Sequence, residues 1–201
     1  MNFLIKNWPR IGTVFAIILT PILLYCRSNM GLPLFLIWMQ IPIYLLHQAE
    51  EYLIPGGFIE HLNKALTGKA TREGPLNESR AFRINVLLVW VIFPIFAAFA
   101  TYFNNLNIGM YLLYFSVANG LIHVISGIRF AEYNPGLIIS FFLNVIIGLY
   151  SIMVLQGTGA IWWPNHIFSA FVAILANLWV VVSMKLRMKA LKQAEVSADG
   201  G

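Results

Sequence analysis

Residues 133–184 read YNPGLIISFFLNVIIGLYSIMVLQGTGAIWWPNHIFSAFVAILANLWVVVSM, a run of 52 residues without Asp, Glu, Lys or Arg. A helix needs about 20 apolar residues to cross the hydrocarbon core of a bilayer, so this run is long enough for two such helices. The segment Gln156-Gly157-Thr158-Gly159 near its middle is rich in turn-forming residues. The run therefore predicts two membrane-spanning helices that are joined by a short turn and lie antiparallel.

Three other charge-free runs precede this stretch: 16 residues at 11–26, 22 at 28–49 and 45 at 84–128. By the same length criterion they hold one, one and two helices. Charged residues make up only 10% of the chain, whereas a soluble domain has about 25%. The sequence therefore predicts an all-α, polytopic integral membrane helical bundle with about six transmembrane helices. The predicted spans are residues 9–26, 32–53, 83–103, 108–130, 135–156 and 161–185.

The basic residues divide unevenly between the two sides of such a bundle. If both termini lie on one side, twelve of the thirteen Lys and Arg residues fall on that side and only Arg27 lies opposite. Because cytoplasmic loops carry an excess of basic residues, both termini are predicted to be cytoplasmic. We expect a multi-pass protein of the plasma membrane, or of the inner membrane in a Gram-negative bacterium.

A single six-helix membrane domain is predicted for residues 1–192, with a cytoplasmic loop at 54–82 and a disordered tail at 193–201. Within the loop, apolar residues at 59, 62 and 66 recur at helical spacing, which predicts a short helix on the membrane surface. The rest of the loop is predicted to be solvated.

The charge pattern also excludes one class of partner. The net charge is +5, but the basic residues flank apolar spans instead of gathering on one solvated face. Nucleic acid is therefore not expected as a partner, and the lipid bilayer is. Cys26 is the only cysteine, which excludes an internal disulfide.

The segment His47-Gln48-Ala49-Glu50-Glu51 places three ionisable side chains near the inner end of the second predicted span. Ionisable groups inside a span are energetically costly, so each is by default a candidate for function. Residues three and four apart share a helical face, and these three side chains are expected to converge. Two carboxylates facing one point repel each other unless a cation, a proton or a basic partner lies among them.

A second histidine, His123, is predicted at the same depth as His47. Each lies about fifteen residues into its span, and both spans run in the same direction, with a rise of about 1.5 Å per residue. Asn119 lies one turn before His123 on the same helical face and is expected to orient the imidazole ring of His123.

These residues carry a resemblance to a known family. The His-x-x-Glu-Glu run, a later lone histidine in an apolar helix, the Pro55-Gly56-Gly57-Phe58 segment and the Tyr-x-Pro-Gly turn together resemble the HXXEE family of multi-spanning membrane proteins. The resemblance extends over about residues 40–180. It implies a membrane-embedded fold and little about activity, because the function of the family is unknown. The implied signature positions are His47, Glu50, Glu51, His123, Tyr133, Pro135 and Gly136.

The residue types favour a divalent metal, zinc or iron. Two histidines and one carboxylate form a known catalytic ligand set that leaves one coordination position open. We therefore predict a metal held by His47, Glu51 and His123, with Glu50 as the general base. The corresponding function is a membrane-embedded metal-dependent enzyme, for example a hydrolase, that acts on a lipid or other apolar substrate at the cytoplasmic leaflet.

Two other functions remain open at this point. The same cluster fits a small proton- or cation-coupled transporter, and it also fits a non-catalytic membrane partner protein in which the polar residues fix helix packing.

Several residues near the cluster are candidates for supporting roles. Arg129 and Glu132 are expected to pair, unless Arg129 binds a phosphate or carboxylate of the substrate. Tyr133 is expected within reach of the site, whereas Pro135 and Gly136 are expected to start the next helix. His61 joins the site only if the surface helix turns back beneath it.

Overall fold

The computed structural model describes residues 2–199, and within them it is all-helical with no strand. The helices are α1 (Asn2–Met30), α2 (Leu32–Tyr52), α3 (Phe58–Thr67), α4 (Glu78–Tyr102), α5 (Leu106–Phe130), α6 (Leu137–Gly157) and α7 (Trp163–Asp199). All except α3 are long and apolar enough to cross a membrane, which confirms the predicted six-span helical bundle. These six helices indicate a multi-pass membrane protein.

Three helices differ from the predicted spans by five residues or more at one end. α1 begins at Asn2 and continues through Pro9 and Pro21. α4 begins at Glu78, because the Asn77 side chain accepts a hydrogen bond from the Arg80 amide and caps the helix. α7 continues to Asp199, so residues 193–199 of the predicted tail are helical in the structure, and they include good helix formers such as Ala, Gln and Glu. The last two residues of that tail lie outside the described residues.

α2 and α5 form the centre of the bundle. Some 61% of the most apolar window of α2 and 56% of that of α5 are buried, compared with 28% or less in the other four long helices. Gly109 of α5 allows a close approach, because an added Cβ there would overlap the Ile37 side chain of α2. Polar groups on the facing sides of α2 and α5 are therefore shielded from lipid.

The segment between α2 and α4 is more ordered than a solvated loop. It contains α3, which confirms the predicted short helix. The Asn63 side chain of α3 donates hydrogen bonds to the carbonyl oxygens of Thr71 and Leu76, at 2.8 and 2.7 Å, and accepts one from the Leu76 amide at 3.0 Å. Leu76 is only 1% exposed and packs with Trp8, Ile59, Ala81 and Met184. This segment therefore covers one end of the bundle.

Candidate functional site

A buried cluster of two imidazoles and one carboxylate joins α2 and α5. Glu51 Oε1 lies 3.5 Å from His47 Nε2 and 3.4 Å from His123 Nε2. The centroids of the two imidazole rings are 4.8 Å apart, and all three side chains are buried. The structure thus brings together His47, Glu51 and His123, the three residues that the sequence predicted as metal ligands.

The other ring nitrogen of each histidine contacts a polar side chain. Asn134 Nδ2 donates to the His123 carbonyl at 2.8 Å, which orients the amide so that Oδ1 faces His123 Nδ1 at 2.6 Å. His123 Nδ1 therefore carries a proton, and in the neutral ring Nε2 presents a lone pair to the cluster. The Ser140 hydroxyl lies 3.2 Å from His47 Nδ1, so the Nε2 atom of His47 also faces Glu51.

The contacts inside the cluster are too long for hydrogen bonds. Both histidines face the same oxygen of Glu51, at 3.5 and 3.4 Å, whereas N–H···O hydrogen bonds are about 2.7–3.2 Å long. Among the described residues, His47 Nε2 has no hydrogen-bond partner. The three ligand atoms lie within 4.8 Å of one another, an arrangement that can hold a metal ion.

Gly136, just before α6, closes one side of the cluster. An added Cβ at Gly136 would lie 2.8 Å from His47 Cε1, 2.9 Å from Glu51 Cγ and 2.9 Å from His123 Cε1. Its φ angle is +99°, in the left-handed region that favours glycine. Both the close approach and the backbone conformation therefore require glycine at this position.

Glu50 does not join the cluster, which argues against its predicted role as general base. Its Oε1 accepts hydrogen bonds from the Tyr133 hydroxyl at 2.7 Å and the Ile138 amide at 2.9 Å, and its Oε2 accepts one from the Ile139 amide at 2.7 Å. A carboxylate at a helix N-terminus satisfies otherwise unpaired amides and interacts favourably with the helix dipole. Glu50 therefore holds the N-terminus of α6 against α2.

A family model described as "Protein of unknown function with HXXEE motif" matches residues 38–151, more than half of the chain. The chain belongs to the HXXEE family. The matched segment contains the HXXEE motif itself and also His123, Asn134, Gly136 and Ser140. It ends earlier than the resemblance expected from the sequence, within α6. No curated protein and no solved structure matches the chain significantly.

Removal of the Glu50 side chain tests whether Glu50 holds the N-terminus of α6 against α2. We expect Glu50→Ala to destabilise the protein by about 1–3 kcal/mol for each buried donor left unpaired, measured as thermal unfolding in detergent. Tyr133→Phe removes one of the three hydrogen bonds and should cost about 1 kcal/mol. If Glu50 were instead a general base without a structural role, Glu50→Ala would leave the unfolding temperature unchanged.

Three predicted supporting residues lie away from the cluster of His47, Glu51 and His123. Asn119 does not orient His123, since its Nδ2 donates to Asn177 Oδ1 at 3.2 Å. Arg129 and Glu132 do not pair with each other: Arg129 stacks on the Phe130 ring, and Glu132 lies 3.5 Å from Lys64 Nζ. Arg129 and Glu132 are exposed at the end of α5, and these positions exclude direct contact with the cluster.

Tyr133 lies near the cluster, whereas the Pro135-Gly136 turn stands just before the helix that it was expected to start, because Gly136 is the N-cap and α6 begins at Leu137. Tyr133 reaches the site through Glu50, and the turn precedes α6. Partial burial and the adjacent Glu50 carboxylate raise the pKa of the Tyr133 hydroxyl, so it stays protonated and able to donate.

A cavity of about 170 Å³ opens on the cluster from the side of α3, α4 and α7. Glu51, His123 and Asn134 lie in its wall, and most of its other lining side chains are apolar. His61 also lines the cavity but is not one of the three clustered ligands. Partial burial lowers the pKa of His61, so its ring is neutral at pH 7.

Tyr44, Asn134 and Ser140 are site residues that the sequence interpretation missed. Tyr44 lines the cavity, and its ring packs edge-on against the His47 ring with centroids 5.1 Å apart. Among the described residues its hydroxyl has no hydrogen-bond partner, so it is available to a ligand. Asn134 lies in the Tyr-x-Pro-Gly turn, and Ser140 lies near the start of an apolar span. Both are polar residues at the depth of His47, and this shared depth is the signal that could have identified them.

Proposed function

We propose that this protein is a membrane-embedded metal-dependent enzyme that acts on a lipid or another apolar substrate, with hydrolysis as its reaction. Zinc or iron is the proposed metal, with His47, Glu51 and His123 as its ligands. We further propose that the site faces the cytoplasmic leaflet of the plasma membrane, as the distribution of basic residues favours.

The spacing of the three ligand atoms is the observation that carries this proposal. Zinc–nitrogen and zinc–oxygen bonds of about 2.0–2.2 Å in a tetrahedral site give ligand–ligand separations of about 3.3–3.6 Å. Two of the three separations fall at this length, because Glu51 Oε1 lies 3.5 and 3.4 Å from the two Nε2 atoms, and all three ligand atoms lie within 4.8 Å of one another. A single proton can bridge only one of these pairs at a time, whereas a cation among the three atoms satisfies all of them.

The ligand set and its surroundings fit a catalytic site better than a structural one. Structural zinc sites have four protein ligands, whereas catalytic sites commonly have three and leave one position for substrate or water. Such a metal supplies Lewis acidity and lowers the pKa of water. The bonds of Asn134 and Ser140 to the two Nδ1 atoms orient both rings, as ligand-supporting hydrogen bonds do.

The cavity supports an apolar substrate. Two of its lining side chains, Ile122 and Val181, are 46% and 38% exposed on the outer surface of the bundle, where lipid would lie. Glu51 and His123 line the same cavity, and Tyr44 offers an unpaired hydroxyl there. A molecule dissolved in the bilayer can therefore approach the cluster from the side, without first entering water.

The test is hydrolysis of a fluorogenic fatty acyl ester by protein reconstituted in vesicles. Treatment with a metal chelator should abolish turnover, and added zinc or ferrous iron should restore it. Glu51→Gln should be inactive, whereas Glu132→Gln, which changes an exposed carboxylate, should keep wild-type activity. Hydrolysis by metal-free protein would contradict the metal dependence, and no hydrolysis by the metal-loaded protein would contradict the proposed reaction.

A second candidate function, a proton-coupled transporter, is favoured by buried polar atoms other than His47 Nε2 that lack a hydrogen-bond partner among the described residues. Gln40 Oε1, Ser116 Oγ and both amide atoms of Asn144 are buried and have no partner among the described residues. They belong to α2, α5 and α6, which pack against one another. Buried polar groups of this kind are usually satisfied by water, and a file of water molecules can conduct protons.

Their positions along the helices place these groups on one side of the cluster. Gln40 and Ser116 each lie seven residues, two helical turns, before a cluster histidine, and Asn144 lies four residues after Ser140. Ser140 and Asn144 belong to the π-helical segment Ser140–Ile147 of α6, a conformation that occurs often at functional sites.

Proton flux into vesicles loaded with a pH-sensitive dye tests the second candidate. Asn144→Leu should lower the flux at least tenfold if this route conducts protons. Asn177→Leu is the matched control, because the Asn177 amide is bonded to Asn119 and Ala173. If wild-type vesicles conduct no more protons than empty ones, the transporter function is wrong.

A further inference from the structure

Three arginines gather where α4 begins and α7 leaves the bundle. Arg80 and Arg83 lie one turn apart at the start of α4. Arg187 of α7 lies three residues after Met184, which belongs to the same buried cluster as Ala81, the neighbour of Arg80. Arg80 is half-buried, and the other two are exposed. None of the three forms an ion pair with a side chain that the structure describes, so among these side chains the three like charges have no acidic partner.

Two other basic residues on the same end of the bundle are paired. Arg72 pairs with Glu60 at 3.2 Å and with Glu78 at 3.5 Å, and Lys64 lies 3.5 Å from Glu132. An excess of positive charge at the cytoplasmic ends of spans is common. A close group of unpaired arginines beside a cavity has a further electrostatic consequence, because the group is stabilised when an anion binds among its members.

The arginines do not line the cavity that reaches the cluster, but each lies next to, or one turn from, a residue that does. Ala81 and Ile84, which follow Arg80 and Arg83 directly, line the cavity on α4. Met184 lines it on α7, three residues before Arg187. The three arginines therefore lie near a cavity whose lining is mostly apolar.

Positions along α4 give the distance, parallel to the helix axis, between the arginines and the cluster. Asn85 Oδ1 accepts from Gln48 Nε2 at 3.0 Å, and Asn85 Nδ2 donates to the Tyr52 hydroxyl at 3.2 Å, so Asn85 lies at the level of the HXXEE motif. Arg80 is five residues nearer the start of α4, about 7.5 Å along the helix axis at 1.5 Å per residue. The arginines thus lie toward the membrane surface from Glu51.

We propose that Arg80, Arg83 and Arg187 bind the phosphate head group of an anionic lipid, whose acyl chain occupies the cavity. In a glycerolipid the acyl ester is several bonds from the phosphate, toward the bilayer interior. A phosphate on the arginines therefore presents the ester at the level of Glu51 and His123. The binding site stands on the arginines and the cavity, whereas the identity of the reacting ester rests on the proposed enzymatic function.

Titration of the purified protein with fluorescent lysophosphatidic acid tests the binding site. Its phosphocholine counterpart, which has the same chain but no net charge, should bind at least tenfold more weakly. The double variant Arg80→Gln/Arg187→Gln should raise the Kd for lysophosphatidic acid at least tenfold. Thermal unfolding of the same variant, expected to be unchanged, shows that the fold is intact.

The matched control removes the same number of charges from a place away from the cavity. Lys189→Gln/Lys192→Gln on α7 should change the Kd less than twofold. An equal loss of affinity in this control would show that only general surface charge matters and would overturn the proposal. Equal binding of the phosphocholine lipid would overturn it as well, as would displacement of the bound lipid by an equal concentration of inorganic phosphate.

The failure of this proposal is distinguishable from the failure of the enzymatic one. Wild-type protein from which metal has been stripped with a chelator keeps all three arginines, so it should bind lysophosphatidic acid with the same affinity as untreated protein. Lipid binding by a wild-type protein that takes up no metal when zinc or iron is added would leave the head-group site intact and contradict the enzyme. A metal-dependent esterase without preference for anionic lipids would contradict only the head-group site.

Discussion

Purified wild-type protein is expected to retain about one divalent metal ion per chain, and Glu51→Gln almost none. Glu51 Oε1 is the atom that both histidines face, at 3.5 and 3.4 Å. Its replacement by an amide removes the negative charge of the ligand set and leaves two neutral imidazoles. Elemental analysis after extensive dialysis measures the difference, and His47→Ala should show the same loss.

Two glutamates provide the controls for this measurement. Glu132→Gln removes an exposed carboxylate at the end of α5, and its metal content should equal that of the wild type. Glu50→Gln keeps Glu51 and both histidines and should still retain metal, although less of it if α6 shifts. A wild-type protein that binds no zinc or iron, even when either is added in excess, would contradict the metal site.

Gly136→Ala is expected to disrupt both the fold and the metal site. The added Cβ would come within 2.9 Å of all three cluster side chains. Overpacking of this kind costs about 1–3 kcal/mol, and a non-glycine residue in a strained backbone conformation adds about 1–3 kcal/mol. We therefore expect a large drop in thermal stability together with a loss of bound metal.

The Gly57→Ala variant separates the cost of the backbone conformation from the cost of overpacking. Gly57 has a φ angle of +90°, close to that of Gly136, but an added Cβ there meets nothing within 4 Å. This variant should show the cost of the backbone conformation alone and keep its metal. If Gly136→Ala behaved like Gly57→Ala in both measurements, the close packing of Gly136 on the cluster would be wrong.

The spans and the pairing of His47 with His123 could be predicted because both follow from distances along the chain. Charge-free runs give the number of helices, and equal positions in two spans of the same direction give equal depth. The ring centroids of the two histidines are indeed 4.8 Å apart. The four-residue spacing of His47 and Glu51 likewise placed them on one helical face.

The separate roles of Glu50 and Glu51 could not be predicted in the same way. Helical spacing places both near His47, and only the position of the next helix decides where each points. Asn119 and Asn134 show the same difficulty: the first lies one turn from His123, yet it bonds to α7. The second is eleven residues away, and the turn between α5 and α6 brings its amide back to the ring.

The hydrogen bonds between Glu50 and α6 also fix how α2 is rotated about its own axis. In a helix, successive side chains point about 100° apart, so the direction of Glu51 is set once Glu50 is held by the amides of Ile138 and Ile139. A ligand that moved α6 away from α2 would free this rotation and turn the Glu51 carboxylate, together with His47 on the same face of α2, away from His123. The contact between α2 and α6 therefore helps to determine whether His47 and Glu51 face His123.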